Sequence, residues 1–288
     1  MSITYQNILP DPNNPIGYAG QNTGTVGPGY KSVQLTSKAP IMKTRTNSGR
    51  VVARANVGHT WEISIGYNPM TRTEFEFIYN FLLNRRGSLK PFFVSLPQYK
   101  EPQDSTFADY AAAGTGANIK ASTTAGKFIV NNSYKISVPG TTDFTAIGAA
   151  NNTAGTVFTA SGVGTNSGVA VAVAGSSSLL LAGLSGSSGD PRPGDLFTIT
   201  DANDSNHTKA YRVTQVETNS VYNGSPQPAT TERIVHFMPG LQKAVANDSV
   251  IDFDNPLIRV VLASDTQQYS LDTHGLYTFS LKLEEAQY

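Results

Sequence analysis

The chain has 288 residues, and its 21 Lys and Arg residues balance 21 Asp and Glu residues, so the formal net charge is zero. That balance gives no global indication of nucleic-acid binding. The chain has no cysteine, which excludes a disulfide framework, a thiolate nucleophile and a cysteine-based metal site.

Residues 1–30 are rich in Pro and Gly and show no periodic apolar pattern. We therefore expect an extended N-terminal arm, which in an assembly can lie along a neighbouring subunit. Its beginning, MSITYQNILPDPNN, is too polar for a signal peptide, and no apolar run in the chain approaches the roughly 18–20 residues of a spanning helix. These features predict a protein that is made in the cytoplasm and has no membrane partner.

Residues 31–117 are predicted to form the first part of a β-rich domain. Within this part, Trp61, Ile63 and Ile65 alternate with polar residues. An alternation with a period of two indicates a strand with one buried face.

A single helix is predicted over residues 71–86. Thr71 and Glu74 have the spacing of a capping box, in which each side chain satisfies a backbone N–H at the start of the helix. Four apolar residues recur at helical spacing and form one core-facing stripe: Phe75, Ile78, Tyr79 and Leu82. We attribute the stripe to core packing, because nothing beside it indicates a cofactor.

Residues 111–189 contain little charge and much Gly, Ala, Ser and Thr. Their edges, AAAGTGA and AGSSSLLLAGLSGSSGD, are interpreted as flexible seams. The centre instead carries regularly spaced aromatic and β-branched residues, which a disordered segment of this length would lack. We therefore predict a small inserted β module over 118–176, with a core anchored by Phe144, Ile147 and Phe158, rather than a linker.

Residues 177–288 are predicted to be the second part of the β-rich domain. Strand-like segments follow one another there, with Gly, Pro, Asn and Asp between them: LFTIT, KAYRVTQVE, RIVHFMPGL, SVIDFDNP, LIRVVLAS and LYTFSLKLEEA. Such a succession is typical of a sandwich or a barrel. Apolar and polar residues alternate in the last segment, so we expect that strand to have one solvent-facing side.

No motif in the sequence predicts catalysis or cofactor binding. The histidines, His59, His207, His236 and His274, are far apart and have no metal-binding spacing. The chain also lacks the serine-nucleophile elbow and the phosphate-binding loop. We therefore expect no cofactor, no metal and no enzymatic activity.

Two acidic segments leave alternatives open. Asp252 and Asp254 in IDFD fall on one face of a predicted strand, which is compatible with a catalytic pair, with a cation site or with a solvated strand end before Asn255-Pro256. DANDSN, residues 201–206, resembles the first half of a calcium loop, but its twelfth position is Arg212 rather than the bidentate Glu. A hairpin turn is the favoured interpretation of that segment.

The zero net charge hides an asymmetry along the chain. Residues 1–100 carry eleven Lys and Arg against four Asp and Glu, and the remainder carries ten against seventeen. Lys43, Arg45, Arg50 and Arg54 form a loose basic cluster, which is compatible with solvated charge, with a loop facing a DNA-conducting lumen or with an acidic surface on a neighbouring copy. Because no aromatic residues interleave with these cations, direct nucleic-acid binding is not expected. We predict the four cations to be interface residues.

One segment resembles a known module. SYKISVPGTTDFTAIGAANNTAGTVFTASGVGTNSGVA, residues 133–170, is similar to a small module that recurs in structural proteins of tailed bacteriophages, especially marine, cyanophage-like ones. Tyr134, Ile136 and the run GTTDFTAIGA fit its pattern. The module occurs in several kinds of virion protein, so the resemblance indicates a virion protein without identifying which one.

Other segments resemble β-rich proteins of the baseplate hub or distal tail: WEISIGYNPMTRTEF, FLLNRRGSLKPFFVSLP, RPGD, KAYRV and LDTHGLYTFSLKLEE. This resemblance implies a tube-like β-sandwich or barrel with one α-helix, into which the small β module is inserted. It also implies a non-enzymatic tail protein that forms a homo-oligomeric ring and contacts other tail and baseplate proteins in the virion.

Several alternatives remain open at this point. A neck or fibre-connector protein of the virion would fit the same resemblance. From other classes of protein, a virion-associated polysaccharide hydrolase with scattered carboxylates and a carbohydrate-binding attachment protein are also compatible. The attachment protein would expose clustered Trp or Tyr, whereas the one tryptophan, Trp61, lies in a predicted core strand.

Overall fold

The computed structural model describes residues 7–12, 27–55, 58–113, 119–201, 204, 207–224 and 226–286. The strands, in chain order, are β1 (Tyr30–Lys38), β2 (Ile41–Arg45), β3 (Val51–Ala55), β4 (Thr60–Tyr67), β5 (Phe92–Val94), β6 (Lys120–Ser122), β7 (Ser133–Val138), β8 (Val157–Thr159), β9 (Val169–Ala172), β10 (Ser178–Ala182), β11 (Leu196–Thr200), β12 (Ala210–Glu217), β13 (Arg233–Met238), β14 (Val250–Asp252), β15 (Ile258–Leu262), β16 (Tyr269–Leu271) and β17 (Tyr277–Glu285). The α-helices of these ranges are α1 (Arg72–Arg85), which follows β4, and α2 (Ser105–Ala112), which follows β5.

The chain divides into two compact units. The first, called the sheet unit, combines residues 1–95 with residues 258–287, and the second, called the barrel unit, is residues 96–257. Both units are built mainly of antiparallel strands. This confirms the predicted mainly β fold class.

An antiparallel sheet with the strand order β1-β4-β17-β15-β5 forms the sheet unit, and β16 pairs with β17. β17 lies between β4 and β15, so the second segment of the unit supplies its central strand. At the β5 edge, residues 7–9 of the predicted arm pair with β5 in parallel orientation. Leu9 N–H donates to the Phe93 carbonyl at 2.8 Å, and Phe93 N–H donates to the Asn7 carbonyl at 2.7 Å. This described part of the arm lies on the protein's own sheet.

The predicted alternation along the strands of this sheet is confirmed. In β4, the buried residues are Trp61, Ile63, Ile65 and Tyr67, and the residues between them are partly exposed. In β17, buried and exposed residues also alternate from Thr278 onward. Each of these strands therefore has one side in the core and one side toward water.

Helix α1 confirms the helix predicted over 71–86. Thr71 N–H donates to Glu74 Oε2 at 2.9 Å, as one half of the predicted capping box requires. The buried side of the helix packs on the aromatic end of β17, where the ring of Phe75 stacks on Tyr277 at a centroid distance of 4.5 Å and meets Phe279 edge-on at 5.9 Å. Aromatic stacking therefore fixes the helix to the sheet.

Six strands close the barrel of the barrel unit in the order β10-β13-β12-β11-β14-β6. Large side chains fill it, and rings of Phe197, Tyr211 and Phe237 lie within 5.5 Å of one another between centroids. Helix α2, which the sequence did not predict, belongs to the same core, because Phe107 meets Phe253 at 5.1 Å. Its N-terminus is capped by the Asp104 carboxylate, which accepts from Phe107 N–H at 3.0 Å.

The stretch predicted as a folded module is folded. β7, β8 and β9 form a three-stranded sheet, and beside it Phe128, Tyr134, Phe144 and Phe158 form a buried aromatic cluster. Gly168 lies so close to this cluster that an added Cβ would come within 2.7 Å of the Phe144 ring. Glycine at this position allows the backbone to approach the ring.

Polar residues of the same stretch hold its loop together. The Asn152 side-chain oxygen accepts from Phe144 N–H at 2.7 Å, and its amide donates to Asp143 at 3.2 Å. The Thr145 hydroxyl donates to Asp143 at 2.6 Å. The bonds from Thr145 and then Asn152 lower the pKa of Asp143. These Thr, Asp and Asn side chains thus stabilise the turn between β7 and β8.

The aromatic cluster and the barrel share one continuous core. β6, which lies inside the predicted module segment 118–176, pairs with β10 and β14 of the barrel. The boundaries at 118 and 176 stay a prediction. The interpretation of AGSSSLLLAGL as a flexible seam is wrong, because residues 178–182 form β10, whose first four residues are buried between two neighbouring strands.

Phe144→Ala is expected to destabilise the barrel unit by about 3–5 kcal/mol, because it leaves a cavity among aromatic rings that cannot collapse fully. The change in the free energy of unfolding can be measured by urea denaturation. Val157→Ala is the matched control, because Val157 is 59% exposed on β8 of the same sheet. A loss below about 1 kcal/mol for Phe144→Ala would contradict its place in the core.

The sheet unit is expected to fold without the barrel unit. Val94 pairs directly with Ile258, so the chain leaves and re-enters the sheet at adjacent points. Replacing residues 96–256 by Asn-Gly should close a hairpin between Ser95 and Leu257, because Asn-Gly favours the turn type that matches strand twist. Circular dichroism and urea unfolding should show a cooperatively folded β protein.

A second shortened chain that also lacks residues 277–285 is the control. It should fail to fold, because it has lost the central strand β17. If both shortened chains are unfolded, the sheet unit is not independent.

Candidate assembly surface

A β-hairpin made of β2 and β3 carries the cations that the sequence predicts to be interface residues. Lys43 and Arg45 are two positions apart on β2 and so project from one face of the hairpin. Arg54, which pairs with Met42, projects from the other face, and Arg50 immediately precedes β3. The structure thus brings the four cations together on one hairpin, on both of its faces.

The hairpin exposes apolar side chains as well as charged ones. Four of them have large exposed fractions: Ile41 (51%), Met42 (67%), Val51 (52%) and Val52 (47%). Within the described ranges, β2 and β3 pair only with each other. Water therefore reaches both faces of the hairpin in the single chain.

The hairpin's positive charge is not neutralised within the described part of the chain, where none of the four cations forms an ion pair. The whole sheet unit has twelve Lys and Arg against eight Asp and Glu, and the barrel unit has nine against thirteen. The basic excess of the sequence therefore belongs to the unit that carries the hairpin.

Acidic residues lie on the solvent-facing side of the larger sheet of this unit, which contains β4 and β17. Glu62 on β4 and Glu284 on β17 are direct cross-strand partners, and like charges in that position repel each other. Lys38 offsets part of the repulsion, because its Nζ lies 2.7 Å from Glu62 Oε1. The hydrogen bond to Glu62 also raises the pKa of Lys38. Glu284 has no ion pair with any described residue.

β1 forms the second edge of the sheet. It has nine residues, contains no proline and pairs with β4 on one side. Among the strands that the structure describes, none pairs with its other side. A long edge of this kind offers its free N–H and C=O groups to a strand from another chain.

The acidic pair Asp252 and Asp254 lies at the end of a barrel strand. Asp254 N–H donates to Asp252 Oδ1 at 3.0 Å at the end of β14, and burial raises the pKa of Asp252. In DANDSN, residues 202, 203, 205 and 206 lie outside the described residues. Among the residues that the structure describes, no group of three or more His, Asp or Glu residues could hold a metal ion, and no described helix has the length and apolarity to cross a membrane.

One arrangement of polar residues on the barrel was not predicted from the sequence. The imidazole of His236 lies between the Ser178 hydroxyl and the Glu217 carboxylate, at 2.8 Å from each. These residues are 58 and 19 positions from His236, so no local motif marks them. Only the register between β10 and β13, in which Ser178 stands opposite His236, indicates that these two residues are neighbours.

Residues 9–99 match the family model described as "Distal tail protein pb9, A domain, N-terminal". The match contains the hairpin, β4, α1 and β5, and it ends just beyond the first segment of the sheet unit. No curated protein matches the chain significantly. The match supports a structural component of a bacteriophage tail, located in the virion. Residues 133–170 lie outside it, so their resemblance to a phage module stays a prediction.

Met42→Ser combined with Val52→Ser is expected to lower the free energy of unfolding by no more than about 1 kcal/mol, because both side chains already face water. Ile63→Ala, at a buried position of β4, should cost about 2–5 kcal/mol in the same urea titration. A double hairpin variant as unstable as Ile63→Ala would show that the hairpin packs against the same chain.

Proposed function

We propose that this chain is a non-enzymatic structural protein of the distal tail or baseplate hub, and that copies of it form a ring through the β2–β3 hairpin. The observation that carries the proposal is the hairpin itself, which exposes apolar and cationic side chains inside the segment that matches a distal tail protein. Its partners would be further copies of the chain and the adjoining tail proteins.

The stability of hairpins supports a contact with another chain. A two-stranded hairpin alone is marginal in water, and a third strand or a packed apolar face stabilises it. The hairpin has four exposed apolar residues that a surface of another chain could bury: Ile41, Met42, Val51 and Val52. Because hairpin and covering surface differ, the contact joins two different patches, and such contacts close into rings when the rotation allows it.

Charge complementarity supports the same contact. The hairpin presents Lys43, Arg45, Arg50 and Arg54, whereas the solvent-facing side of the sheet presents Glu62 and Glu284. If the cations of one copy meet these carboxylates of the next, the repulsion between Glu62 and Glu284 is relieved. The free edge of β1 can contribute backbone hydrogen bonds to the same neighbour.

Lys43→Glu combined with Arg45→Glu is expected to reduce ring formation at low ionic strength and to leave the folded monomer intact. The reversed charges would repel Glu62 and Glu284 of the neighbouring copy, and added salt would weaken that repulsion because exposed charges are screened. Sedimentation velocity and negative-stain electron microscopy of the purified protein measure the proportion of rings. A neck or fibre-connector protein would show the same loss, so labelled particles decide the position in the virion.

Lys90→Glu combined with Lys135→Glu is the matched control, because it reverses the same number of exposed charges outside the hairpin. Its assembly should equal that of the unmodified protein. A protein that stays monomeric in solution and in particles, or equal assembly of both double variants, would overturn the proposed contact.

A further inference from the structure

A pocket of about 350 Å³ opens on the outer face of the barrel. Its inner wall is β13, where Ile234 and His236 line the pocket, while Val235 and Phe237, which alternate with them, belong to the barrel core. Successive residues of a strand point to opposite faces, so the pocket lies outside the barrel. The volume falls within the roughly 300–1,000 Å³ that small-ligand pockets occupy.

One side of the pocket is apolar. Ile129 and Ile234 line it, and both are buried in a small apolar cluster with Leu180. The turn that carries Ile129 is tied to the barrel, because the Asn132 side-chain amide donates to the Ser178 carbonyl at 2.9 Å. This wall is therefore held in place, and it suits an alkyl chain that is removed from water.

The pocket also contains one buried carboxylate. Glu217 is only 6% exposed, lines the pocket and stands opposite Ile234 in the pairing of β12 with β13. Its Oε1 lies 2.8 Å from His236 Nε2, and its Oε2 accepts from Asn223 N–H at 2.9 Å. Each oxygen of an ionised carboxylate has about two lone-pair sites, so each can accept a further hydrogen bond.

The negative charge of Glu217 lacks a permanent positive partner. Among the described residues, its ion-pair partner is the imidazole of His236, which is charged only when it is protonated. None of the described residues that line the pocket is Lys or Arg. A neutral imidazole donates a hydrogen bond to the carboxylate but supplies no charge. A buried carboxylate without a countercharge is costly, and a cation that enters the pocket would lower that cost.

An ammonium group suits this pocket better than an anion or a metal ion. The carboxylate repels anions, and Ca²⁺ or Mg²⁺ takes about six or more oxygen ligands, which one carboxylate cannot supply. An ammonium group donates three hydrogen bonds. Acceptors for them are the two oxygens of Glu217 and the side-chain carbonyls of Asn131 and Asn223, which are exposed lining residues at the mouth.

We propose that this pocket binds a linear primary alkylammonium group, which belongs either to a free amine or to a lysine side chain of another protein. The ammonium group contacts Glu217, and the alkyl chain lies on Ile129 and Ile234. No bond is made or broken, so the binding is compatible with a non-enzymatic tail protein. All of these residues belong to the barrel unit, whereas the hairpin proposed to form the ring belongs to the sheet unit. Failure of either proposal is therefore measured separately from the other.

The test is saturation-transfer difference NMR on the full chain at about pH 8, where an ordinary imidazole is neutral and an alkylamine is protonated. n-Butylamine should bind saturably. 1-Butanol and butyrate have the same chain length without the positive charge, so both should bind at least about tenfold more weakly. Putrescine and Nα-acetyl-lysine methylamide distinguish the two sources: tighter binding of putrescine indicates a free amine, and tighter binding of the lysine derivative indicates a lysine side chain.

Glu217→Gln should raise the dissociation constant of n-butylamine at least about tenfold, because it removes the charge and keeps the shape of the side chain. Asp252→Asn is the matched control. Asp252 lies on another strand of the barrel and likewise accepts a backbone N–H, but it does not line the pocket. Asn131→Asp adds a carboxylate at the exposed mouth, so it should lower the dissociation constant by about threefold or more.

Absence of saturable n-butylamine binding to the unmodified protein, or equally tight binding of 1-butanol, would overturn the proposal whatever the stability of the variants. Equal affinity of the unmodified protein and Glu217→Gln, with an unchanged circular dichroism spectrum, would do the same. If Glu217→Gln does not fold, Asn131→Asp decides, because an unchanged affinity of that variant would contradict an ammonium group in the pocket.

Discussion

The antiparallel pairing of β5 with β15 is the constraint on which the two-unit organisation depends. Val94 stands opposite Ile258, so the segment between them must leave and return within one strand spacing. Such an insertion is tolerated at the end of a strand pair because it replaces only the loop between β5 and β15. The hydrogen bonds between the two strands are unchanged. The barrel unit can therefore be large without disturbing the strand order of the sheet unit.

The hairpin and the large sheet of the sheet unit place their apolar residues differently. β4 and β17 bury their apolar residues on one side, so they stabilise the single chain. β2 and β3 leave Ile41 and Met42 exposed, so these side chains add little to the stability of the single chain. Apolar residues thus serve folding in β4 and β17, and in the proposed ring those of β2 and β3 would serve assembly.

Local features of the structure could be predicted from the sequence, and non-local ones could not. Trp61 and Ile63 in β4 and the Thr71 and Glu74 cap of α1 follow from periodicity and side-chain chemistry over a few residues. Helix α2 had a signal as well, the capping carboxylate of Asp104, but its eight residues were too few for a clear period. The buried strand β10 was mistaken for a seam because Gly and Ser surround its short apolar run.

The pairing of distant strands is what sequence reasoning lacked. Nothing local says that β17 lies beside β4, or that His236 stands between Ser178 and Glu217. The four cations of the hairpin, in contrast, are close in sequence, and so their proximity in space could be expected. Whether they form an interface depends on a second chain, and the residue pattern of one chain does not reveal it.

The central position of β17 has a consequence for the order of events during synthesis. A ribosome makes the hairpin early, but β15 and β17 emerge only after the whole barrel unit. Until then β4 lacks its inner partner, and the acidic pair Glu62 and Glu284 does not exist as a surface. An interrupted chain would accordingly have the hairpin of the proposed contact but not its acidic pair. In the proposed ring, such a chain would not present Glu62 and Glu284 together to the hairpin of a finished copy.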